Sequence, residues 1–291
     1  MSLAVAQTDH HPTPRADRET VSARVLRYGL GLAYFVRPIR VAQAPAIALG
    51  TVREMAFGSP SLEARRPVGT SGFAGLAPDR SPAAILAAAE RGYFALHHMG
   101  PVKLWSPPER PIIPLAAVPV GKRTRKALRA SRYSISFDQS FSEVMAACAA
   151  PRPGRVPLTS VTPTMRQIYA DLFACGRAHS LEVRDESGAL IGGLFGMTIG
   201  PVFTVMSMFY RAENASKFAF ISLAHHLEAW GFIAVDSMKM SPSVAGFGGR
   251  LVPRDAFEAI LREPAPAREP TRWRPAFSLS DTAAWATARN I

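Results

Sequence analysis

The sequence predicts an α+β fold, and the pattern of residues 178–236 is the main reason. Alternating apolar and polar residues over Ala178–Val183 are typical of a half-buried strand, and the polar turn Asp185–Gly188 returns the chain into a second, apolar strand. A third strand is expected over Val202–Tyr210, after a Gly-Pro break. A helix and one more short strand, Ile233–Val235, follow. A meander of strands followed by a helix and a strand indicates an α+β domain.

The apolar run Ala189–Tyr210 carries no charge and is long enough, at ~20 residues, to span a bilayer. However, four glycines and a proline punctuate it, and β-branched and aromatic residues dominate its second half. These features favour two buried strands joined by a turn over a transmembrane helix.

The helix that follows these strands has clear predicted ends. Asn214 is expected to cap its start, since an asparagine side chain accepts a hydrogen bond from the free amides of a first helical turn. Apolar residues at helical spacing from Phe220 to Trp230 mark a buried face. Gly231 then supplies the left-handed residue that commonly ends a helix.

The chain has 291 residues, enough for one large domain and a smaller one, and a formal net charge of +12. This basic excess points towards polyanions such as nucleic acid, with an anionic membrane surface second; a generally basic composition without such a partner is the alternative. The two cysteines, Cys148 and Cys175, exclude a disulfide framework or a zinc cluster and favour a reducing compartment. The N-terminus lacks the layout of a signal peptide, so a cytoplasmic protein is expected.

Shifts in composition divide the chain into segments. Pro38 and Pro45 interrupt a basic amphipathic stretch near the N-terminus, which favours a helix packed on the domain or on a partner over one lying on a membrane. Gly58–Asp79 is rich in Gly, Pro and Ser and is expected to be a linker. The Pro- and Arg-rich tail is expected to add nothing to the core, although Trp273 and Trp285 are able to dock. The predicted segments are a disordered 1–20, a helical extension 21–57, a small N-terminal domain 58–118, a large domain 119–262 and the tail 263–291.

Six basic residues between positions 122 and 132 have no acidic residue among them. At 100° per residue, Arg125, Arg129 and Arg132 share one helix face. Like charges so spaced repel by ~0.2–0.5 kcal/mol per pair, whereas a row of phosphates would relieve the repulsion and release counterions. We therefore expect contact with a nucleic-acid backbone, with a merely solvated basic face as the alternative. The six residues are Lys122, Arg123, Arg125, Lys126, Arg129 and Arg132.

Few sequence patterns point to a specific chemistry, and the chain contains no phosphate-binding loop, dinucleotide fingerprint or GxSxG elbow. His179, Ser180 and Asp236 have the residue types of a hydrolase triad, but without the elbow this arrangement is disfavoured. Asp236 follows a predicted strand and is the better candidate for a general base or an orienting carboxylate; capping of the next loop is its alternative. Trp105, before a Pro-rich turn, is either a core residue or the wall of a pocket.

Short motifs in a fixed order give the chain a resemblance to the leucyl/phenylalanyl-tRNA-protein transferases. They are RGYF, WSPPER, the basic segment, AHSLEV, LIGGLFG, SMF, ENASK, VD and VPRDAF, and they extend from about Ser81 to Arg262. The resemblance implies a GNAT-like domain over 119–262 and a smaller N-terminal domain. It also implies transfer of Leu, Phe or Met from aminoacyl-tRNA to the N-terminal amine of a protein that begins with Arg or Lys. An aminoacyl ester is already activated, so the expected reaction needs no metal and no cofactor.

The resemblance also implies roles for individual residues. Asp236 would lie at the reaction centre, and the six basic residues would hold the acceptor stem of the tRNA. An apolar pocket near Trp105 and Phe209 would take the amino-acid side chain and the terminal adenosine. Arg211–Lys217 contains no glycine, which argues against the pyrophosphate loop of an acetyl-CoA-dependent enzyme. The pocket residues expected from the matched motifs are Trp105, Met206, Ser207, Phe209, Asn214, Lys217 and Met238.

Two substitutions change the chemistry expected at this site. The chain has Met206 where the family has a glutamate and Met238 where the family has a glutamine; in a third motif, Ala95 replaces a proline and Leu96 an aromatic residue. A methionine neither anchors a cationic amine as a carboxylate does nor takes a proton. Three hypotheses remain open: an aminoacyl-tRNA-dependent transferase of altered acceptor range, a catalytically silent homologue that binds tRNA or a degradation signal, and a GNAT-like acyltransferase that uses another donor.

Overall fold

The structure is a computed structural model that describes residues 42–151 and 159–288 and, from the preceding segment, residues 21, 24–26, 28, 29 and 31. The disorder predicted for residues 1–20 lies outside the described residues. Helices and sheets are both present, which confirms the α+β class. No helix in these ranges combines the length and the apolar composition that crossing a bilayer requires.

Most strands in the described ranges belong to one mixed sheet of seven strands. The strands are β1 (Phe73–Leu76), β2 (Phe94–Leu96), β3 (Lys103–Trp105), β4 (Glu109–Pro114), β5 (Ser134–Phe137), β6 (Ala178–Arg184), β7 (Leu190–Ile199), β8 (Val202–Tyr210), β9 (Ala234–Asp236) and β10 (Arg250–Pro253). The large sheet has the order β10-β4-β9-β8-β7-β6-β5, in which only β8 and β9 pair in parallel. The predicted meander is confirmed as β6, β7 and β8.

Helices pack on both faces of the large sheet and against the small one. They are α1 (Ala44–Phe57), α2 (Pro82–Ala89), α3 (Lys122–Ala130), α4 (Phe141–Ala149), α5 (Pro163–Ala174), α6 (Ala215–Trp230), α7 (Pro242–Gly246), α8 (Arg254–Leu261) and α9 (Leu279–Ala288), with 3-10 turns at Leu62–Ala64 and Leu115–Ala117. One core lies between the sheet and α6, with α3 and α9, and the other beneath α4, α5 and α8. Successive strand residues such as Val202 and Phe203 enter different cores because strand side chains alternate between faces.

A smaller sheet precedes the large one, with the strand order β1-β3-β2. β1 lies inside the segment 58–79 that the composition predicted to be a linker, so this prediction is wrong. All four residues of β1 are buried, and α1 packs against the strand. The glycines of this segment have a structural role, although their abundance is typical of a linker. Gly72, at φ 67°, lies so close to the Ser106 backbone that no side chain would fit there.

The ends of α6 follow the prediction in position, but one predicted contact is wrong. Asn214 precedes the first residue of the helix, yet its side chain makes no capping hydrogen bond. Its backbone is left-handed, at φ 60°, rather than extended as in an ordinary N-cap, and its amide donates to Glu213 Oε1. Gly231 ends the helix with φ 95°, as predicted.

The tail from residue 263 contributes to the core, contrary to the expectation from its composition. Trp273 is only 3% exposed and stacks on the His179 imidazole, with the ring centroids 3.9 Å apart. α9 then packs against α3 and α6. A few aromatic side chains hold the tail against the core despite its Pro- and Arg-rich composition, because each aromatic side chain buries a large apolar area. Docking of Trp273, which the sequence allowed as an exception, is observed.

The boundary predicted between the two domains, at position 118, follows a strand of the large sheet rather than a linker. β4 ends before position 118, where the domains were expected to divide, and yet it lies inside the seven-stranded sheet between β10 and β9. The chain therefore passes from the small sheet directly into a strand of the large one.

Candidate active site

Asp236 lies at the carboxyl end of β9, where the sequence placed it. β9 is inserted between β4 and β8, so that Asp236 pairs with Ile112 on one side and with Thr204 on the other. The side chain is completely buried. A buried carboxylate is costly unless its oxygens are paired, so its partners determine what it does.

Arg110, on β4, supplies the countercharge of Asp236. Its Nε donates to Asp236 Oδ1 at 2.9 Å and its Nη2 donates to Oδ2 at 2.8 Å, which is bidentate geometry. The backbone N–H of Met238 also donates to Oδ1, at 2.8 Å, and the Thr204 hydroxyl donates to Oδ2, at 3.3 Å. Each carboxylate oxygen thus accepts two hydrogen bonds, which fills its lone-pair sites. This geometry favours the orienting role over that of a general base.

Two aromatic rings hold the Arg110 guanidinium between them. Its central carbon is 4.6 Å from the Phe94 ring centroid and 4.7 Å from that of Phe257, and both distances fall in the cation–π range. The remaining nitrogen, Nη1, donates to the carbonyl of Gly92 at 3.2 Å. The ion pair therefore joins β2 of the small sheet and α8 to strands β4 and β9 of the large sheet.

A cavity of about 20 Å³ adjoins this ion pair and has room for roughly one water molecule. Arg110, Thr204 and Met206 line it, and the Tyr169 hydroxyl donates to Met206 Sδ at 3.3 Å. Burial raises the pKa of Tyr169, so its hydroxyl stays protonated and is a donor. The other lining residues are Ile85, Ala89, Tyr93, Phe94, Ala95, Met197, Ile199, Phe257 and Leu261.

Trp105 and Phe209, the two expected walls of the pocket, do not line this cavity. Trp105 lies in β3 of the small sheet, edge-on to Phe73 at a centroid distance of 5.4 Å. Phe209 is buried in β8, and the Arg211 guanidinium lies over its ring, 5.4 Å from the centroid. It lies five residues beyond Thr204, which is about 17 Å along an extended strand.

Met206 and Ser207 lie at an irregularity in β8. Ser207 pairs with Phe195 of β7, whereas the next pair along is Val205 with Gly196, so Met206 is the extra residue of a β-bulge. The bulge places Met206 on the cavity side, packed with the core beneath α4 and α5.

Met238, Asn214 and Lys217 are the remaining predicted pocket residues, and none of them lines the cavity. Met238 is held next to Asp236 by its backbone bond and has a left-handed backbone, at φ 58°. Asn214 and Lys217 lie at the start of α6, which follows the far end of β8. The structure thus places Met238 next to Asp236 and Met206 in the cavity beside Arg110, whereas the other predicted pocket residues do not line this cavity.

The predicted basic segment forms α3, but the helix ends at Ala130, earlier than expected. Arg132 therefore lies beyond the helix and pairs with Glu186 at 3.1 Å, so its expected position on a shared helix face is wrong. The Ser131 backbone is extended, which is why the helix does not continue.

Within α3 the basic side chains divide into two groups. Arg125 donates to the Val120 carbonyl, and Arg129 donates to Thr287 Oγ1 of α9, both at 2.9 Å. Lys122, Arg123 and Lys126 are exposed and form no hydrogen bond or ion pair with the described residues. These three side chains present unpaired positive charge to solvent.

A second polar cluster lies at the start of β6. His179 Nδ1 and Asp138 Oδ2 are 2.7 Å apart, and the Ser180 hydroxyl donates to Glu182 Oε1 at 2.6 Å. Because Asp236 belongs to the other cluster, the disfavoured triad of His179, Ser180 and Asp236 is not formed. Burial raises the pKa of the Glu182 carboxyl, against hydrogen bonds from two serines that lower it.

Several residues of the site carry no signal in the sequence that predicts their role. Arg110 follows Glu109 at the head of β4, and no local pattern distinguishes this pair of charges from two residues exposed to solvent. Tyr169 and Phe257 resemble ordinary core residues of helices, and no local pattern separates them from such residues. Across the described ranges, no group of three or more His, Cys, Asp or Glu side chains is arranged to hold a metal ion.

Comparison with known proteins gives a consistent result. The sequence model of the family described as "Leucyl/phenylalanyl-tRNA protein transferase" matches residues 112–262, just over half of the chain. The leucyl/phenylalanyl-tRNA–protein transferase of Pseudomonas syringae pv. syringae (strain B728a) is 39% identical over 184 residues, which are 63% of this chain and 80% of that protein. That of Azotobacter vinelandii is 38% identical over 192 residues, 66% of this chain and 84% of that protein.

A more distant relative and a solved structure complete the comparison. The leucyl/phenylalanyl-tRNA–protein transferase of Nitratidesulfovibrio vulgaris (strain DP4) is 37% identical over 211 residues, 71% of this chain and 88% of that protein. The structure of L-PGS from Bacillus licheniformis aligns over 51% of this chain and 47% of that chain at 14% identity, with a TM-score of 0.32. On the family match and the identities to these relatives, the chain belongs to the leucyl/phenylalanyl-tRNA-protein transferase family.

Proposed function

We propose that this chain is an aminoacyltransferase that moves Leu, Phe or Met from aminoacyl-tRNA to the N-terminal amine of a protein. The observation that carries the proposal is the family match over residues 112–262, which includes α3, β8 and β9. The names of the relatives specify leucyl and phenylalanyl donors on tRNA and a protein acceptor.

The proposed reaction needs few chemical groups from the protein. The amine nitrogen attacks the ester carbonyl carbon, the bond from that carbon to the ribose oxygen breaks, and the proton of the amine ends on the ribose oxygen. The ester supplies its own activation, so the protein has to hold the two reactants in attack geometry and stabilise the developing oxyanion.

Asp236 fits an orienting role in this reaction. Its two oxygens already accept four hydrogen bonds, from Arg110, Met238 and Thr204. The carboxylate therefore fixes the turn at Met238 and the plane of the Arg110 guanidinium. We propose that the aminoacyl end of the tRNA rests against these fixed groups.

The acceptor is proposed to begin with an uncharged residue rather than with Arg or Lys. Among the described residues that line the cavity, Arg110 is the one with a charged side chain, and its charge is already balanced by Asp236. Met206 lies there as an apolar residue that accepts a single weak hydrogen bond from Tyr169. A cationic side chain would find no unpaired carboxylate in this lining and would lose its hydration.

The tRNA is proposed to bind α3. Lys122, Arg123 and Lys126 present unpaired positive charge that a phosphate backbone would neutralise.

The fold is proposed to be GNAT-like. The arrangement that supports this assignment is an antiparallel meander followed by α6 and then by β9, which lies parallel to β8. We place the protein in the cytoplasm, where charged tRNA is available.

The size of the cavity favours a second candidate, a catalytically silent homologue that binds tRNA. A space of about 20 Å³ holds roughly one water and no leucyl or phenylalanyl side chain. Met206 and Tyr169 close it through their mutual contact. Binding through α3 does not depend on this cavity, so tRNA affinity and turnover are separable.

One experiment separates these candidates. Purified protein is given Leu-, Phe- or Met-tRNA and peptides with N-terminal Arg, Lys, Met or Leu, beside a Met206→Glu/Met238→Gln variant and a control without protein. Transfer by the natural protein to uncharged N-termini supports the proposal. Transfer only by the double variant, and to Arg or Lys, means that the natural protein has lost the reaction. If neither transfers while tRNA still binds, the silent homologue is the correct description.

A further inference from the structure

A buried histidine of α6 fastens the tail, which follows the region matched by the family, to the large domain. The side chain of His226 is fully buried. Its Nδ1 lies 2.7 Å from the carbonyl oxygen of Ser222, one turn earlier in the same helix. Its Nε2 accepts hydrogen bonds from the backbone N–H groups of Ala276 at 3.0 Å and of Phe277 at 3.2 Å. We call these four residues the clasp.

The partners of His226 determine which of its nitrogens carries a hydrogen. A carbonyl oxygen only accepts, so Nδ1 carries the hydrogen that it donates to Ser222. Two backbone N–H groups donate to Nε2, so Nε2 presents its lone pair. The imidazole is therefore uncharged while the clasp is closed. A proton on Nε2 would place three donors against one another, so protonation of His226 and closure of the clasp exclude each other.

The surroundings of His226 are apolar and disfavour a charge. Phe137 of β5, Trp230 of α6 and Phe277 of the tail place their rings 5.0–5.5 Å from the imidazole. Burial lowers the pKa of His226 below its ordinary value of 6.5, and the Ser222 carbonyl raises it by a smaller amount. In the described part of the chain, no charged group contributes to this shift.

His225, the titratable ring next to His226 on α6, has a different relation to the tail. Its Nδ1 lies 3.2 Å from Thr282 Oγ1, and its ring stacks on Phe277 and Trp285. A hydroxyl both donates and accepts, so Thr282 is able to pair with either protonation state of His225. Hydrogen bonds from Ser278 lower the pKa of Asp281, so this carboxylate near His225 stays ionised in mild acid. Protonation of His225 therefore does not oppose docking of the tail.

Two further acidic residues face the tail or belong to it. Glu228 of α6 accepts a hydrogen bond from Trp285 Nε1 at 2.6 Å. Glu269 lies before Trp273, and burial raises the pKa of its carboxyl while the nearby His179 lowers it by less. Since the folded state holds the proton of Glu269 more tightly, acid strengthens this contact. His226 is thus the group whose protonation acts against the docked tail.

The segment that the clasp holds is only lightly packed. The buried side chains of α9 are those of Leu279, Thr282, Ala283 and Ala286, and three of these four are small. A terminal helix with little buried area opens at low cost, so its docking responds to the loss of two hydrogen bonds. Trp273 lies upstream and keeps its own contacts with the core, so release of the tail begins beyond it.

We propose that His226 makes the docking of residues 276–288 sensitive to acid: the uncharged imidazole closes the clasp, and the protonated imidazole opens it. Because the pKa is lower with the tail docked than with it free, the clasp contributes fully above pH 6.5. This contribution is lost as the pH falls below 6.5 towards the lower pKa of the docked state. With a pKa of 6.5 for the free state, the docking equilibrium should fall by up to about tenfold between pH 7.5 and 5.5.

Release of the tail would also change α3. α9 packs against α3, and Arg129 of α3 donates to Thr287 Oγ1 of α9 at 2.9 Å. Opening of the clasp removes this bond and uncovers the side of α3 that faces α9. The surface that we propose for tRNA would then respond to acid, whereas the clasp itself does not depend on tRNA binding.

Hydrogen exchange of the full-length protein without tRNA tests the clasp. Rates are measured at pH 7.5, 6.5 and 5.5 and divided by those of an unstructured peptide at the same pH. We expect the protection of residues 277–288 to fall by up to about tenfold over this range, and that of α5 to stay constant. In His226→Gln, whose amide oxygen accepts but does not titrate, tail protection should not depend on pH. His225→Gln is the matched control and should keep the dependence of the natural protein.

Nitrogen NMR of the natural protein gives a second measurement that needs no variant. Nε2 of His226 should be unprotonated at pH 7.5, and its protonation should follow the same pH curve as the loss of tail protection. A hydrogen on Nε2 at pH 7.5, or tail protection that does not change down to pH 5.5, would overturn the proposal. It is also wrong if α5 loses protection in parallel with the tail, since acid then unfolds the whole domain. Loss of the pH dependence in His225→Gln but not in His226→Gln would assign the effect to the wrong histidine.

Discussion

Arg110 and Asp236 form a bidentate ion pair between the neighbouring strands β4 and β9 of the large sheet, although 126 residues separate them along the chain. Both side chains are almost wholly buried, and Phe94 and Phe257 hold the guanidinium from two sides. Buried ion pairs of this kind add little net stability because desolvation offsets their attraction, but losing one partner is costly. The pair is therefore best understood as the element that fixes the geometry of the site.

Asp236→Ala should lower the free energy of unfolding by about 3–5 kcal/mol, because it leaves the Arg110 charge buried without a partner. Asp236→Asn should cost less, since an amide keeps the shape and accepts from Thr204 or from the Met238 backbone. Urea unfolding measures both. Glu186→Ala, which breaks an exposed ion pair with Arg132, is the matched control and should change the free energy by no more than about 0.5 kcal/mol. Equal effects of Asp236→Ala and Glu186→Ala would show that the buried pair does not organise the site.

Trp273→Ala should destabilise the protein by about 3–5 kcal/mol, the usual cost of removing a buried tryptophan. Its ring contacts His179, Phe203 and Trp230, so its loss also frees the tail that leads into α9. Hydrogen exchange of residues 279–288 should accelerate in this variant. Trp285→Ala, at a half-buried position, should cost less and serves as the comparison. If the two variants unfold alike, the tail is not anchored by Trp273.

Structural features that depend on neighbouring residues were predicted correctly from the sequence, and features that depend on long-range contacts were not. The start of α6 at Asn214 and its end at Gly231 were predictable because helix termini depend on neighbouring residues. The pairing of Arg110 with Asp236 had no local signal, since it depends on the insertion of β9 between β4 and β8. The contribution of the tail was missed because composition describes an average, whereas Trp273 acts through a single buried ring.

Glu182 gives the stability of the protein a defined pH dependence. Burial raises the pKa of its carboxyl above the value of 4.5 for an unperturbed glutamate, so the folded state binds this proton more tightly than the unfolded state. The contribution of Glu182 to stability is therefore fully present below pH 4.5 and is lost as the pH rises through the higher pKa of the folded state. Glu182→Gln does not titrate, so its stability relative to the natural protein should improve as the pH rises from 4.5 towards neutrality.

Urea unfolding of the natural protein and of Glu182→Gln across this pH range gives the difference directly. Ser136→Ala tests the cause, because the Ser136 hydroxyl donates to Glu182 Oε2 at 2.5 Å and lowers the pKa of that carboxyl. Without this bond the pKa should rise further, and the loss of stability should extend to higher pH. A pH-independent difference between Glu182→Gln and the natural protein would contradict the assignment.

Neutralising the unpaired charge of α3 should weaken tRNA binding in a salt-dependent way. In Lys122→Gln/Arg123→Gln/Lys126→Gln, each lost phosphate contact should reduce the slope of log K against log salt concentration by about 0.7–0.9. Filter binding at several salt concentrations measures this slope. Arg53→Gln/Arg250→Gln removes two exposed charges outside α3 and should change the slope little. If both variants lose affinity in proportion to the charge removed, tRNA is attracted by the net charge of +12 as a whole and α3 is not its site.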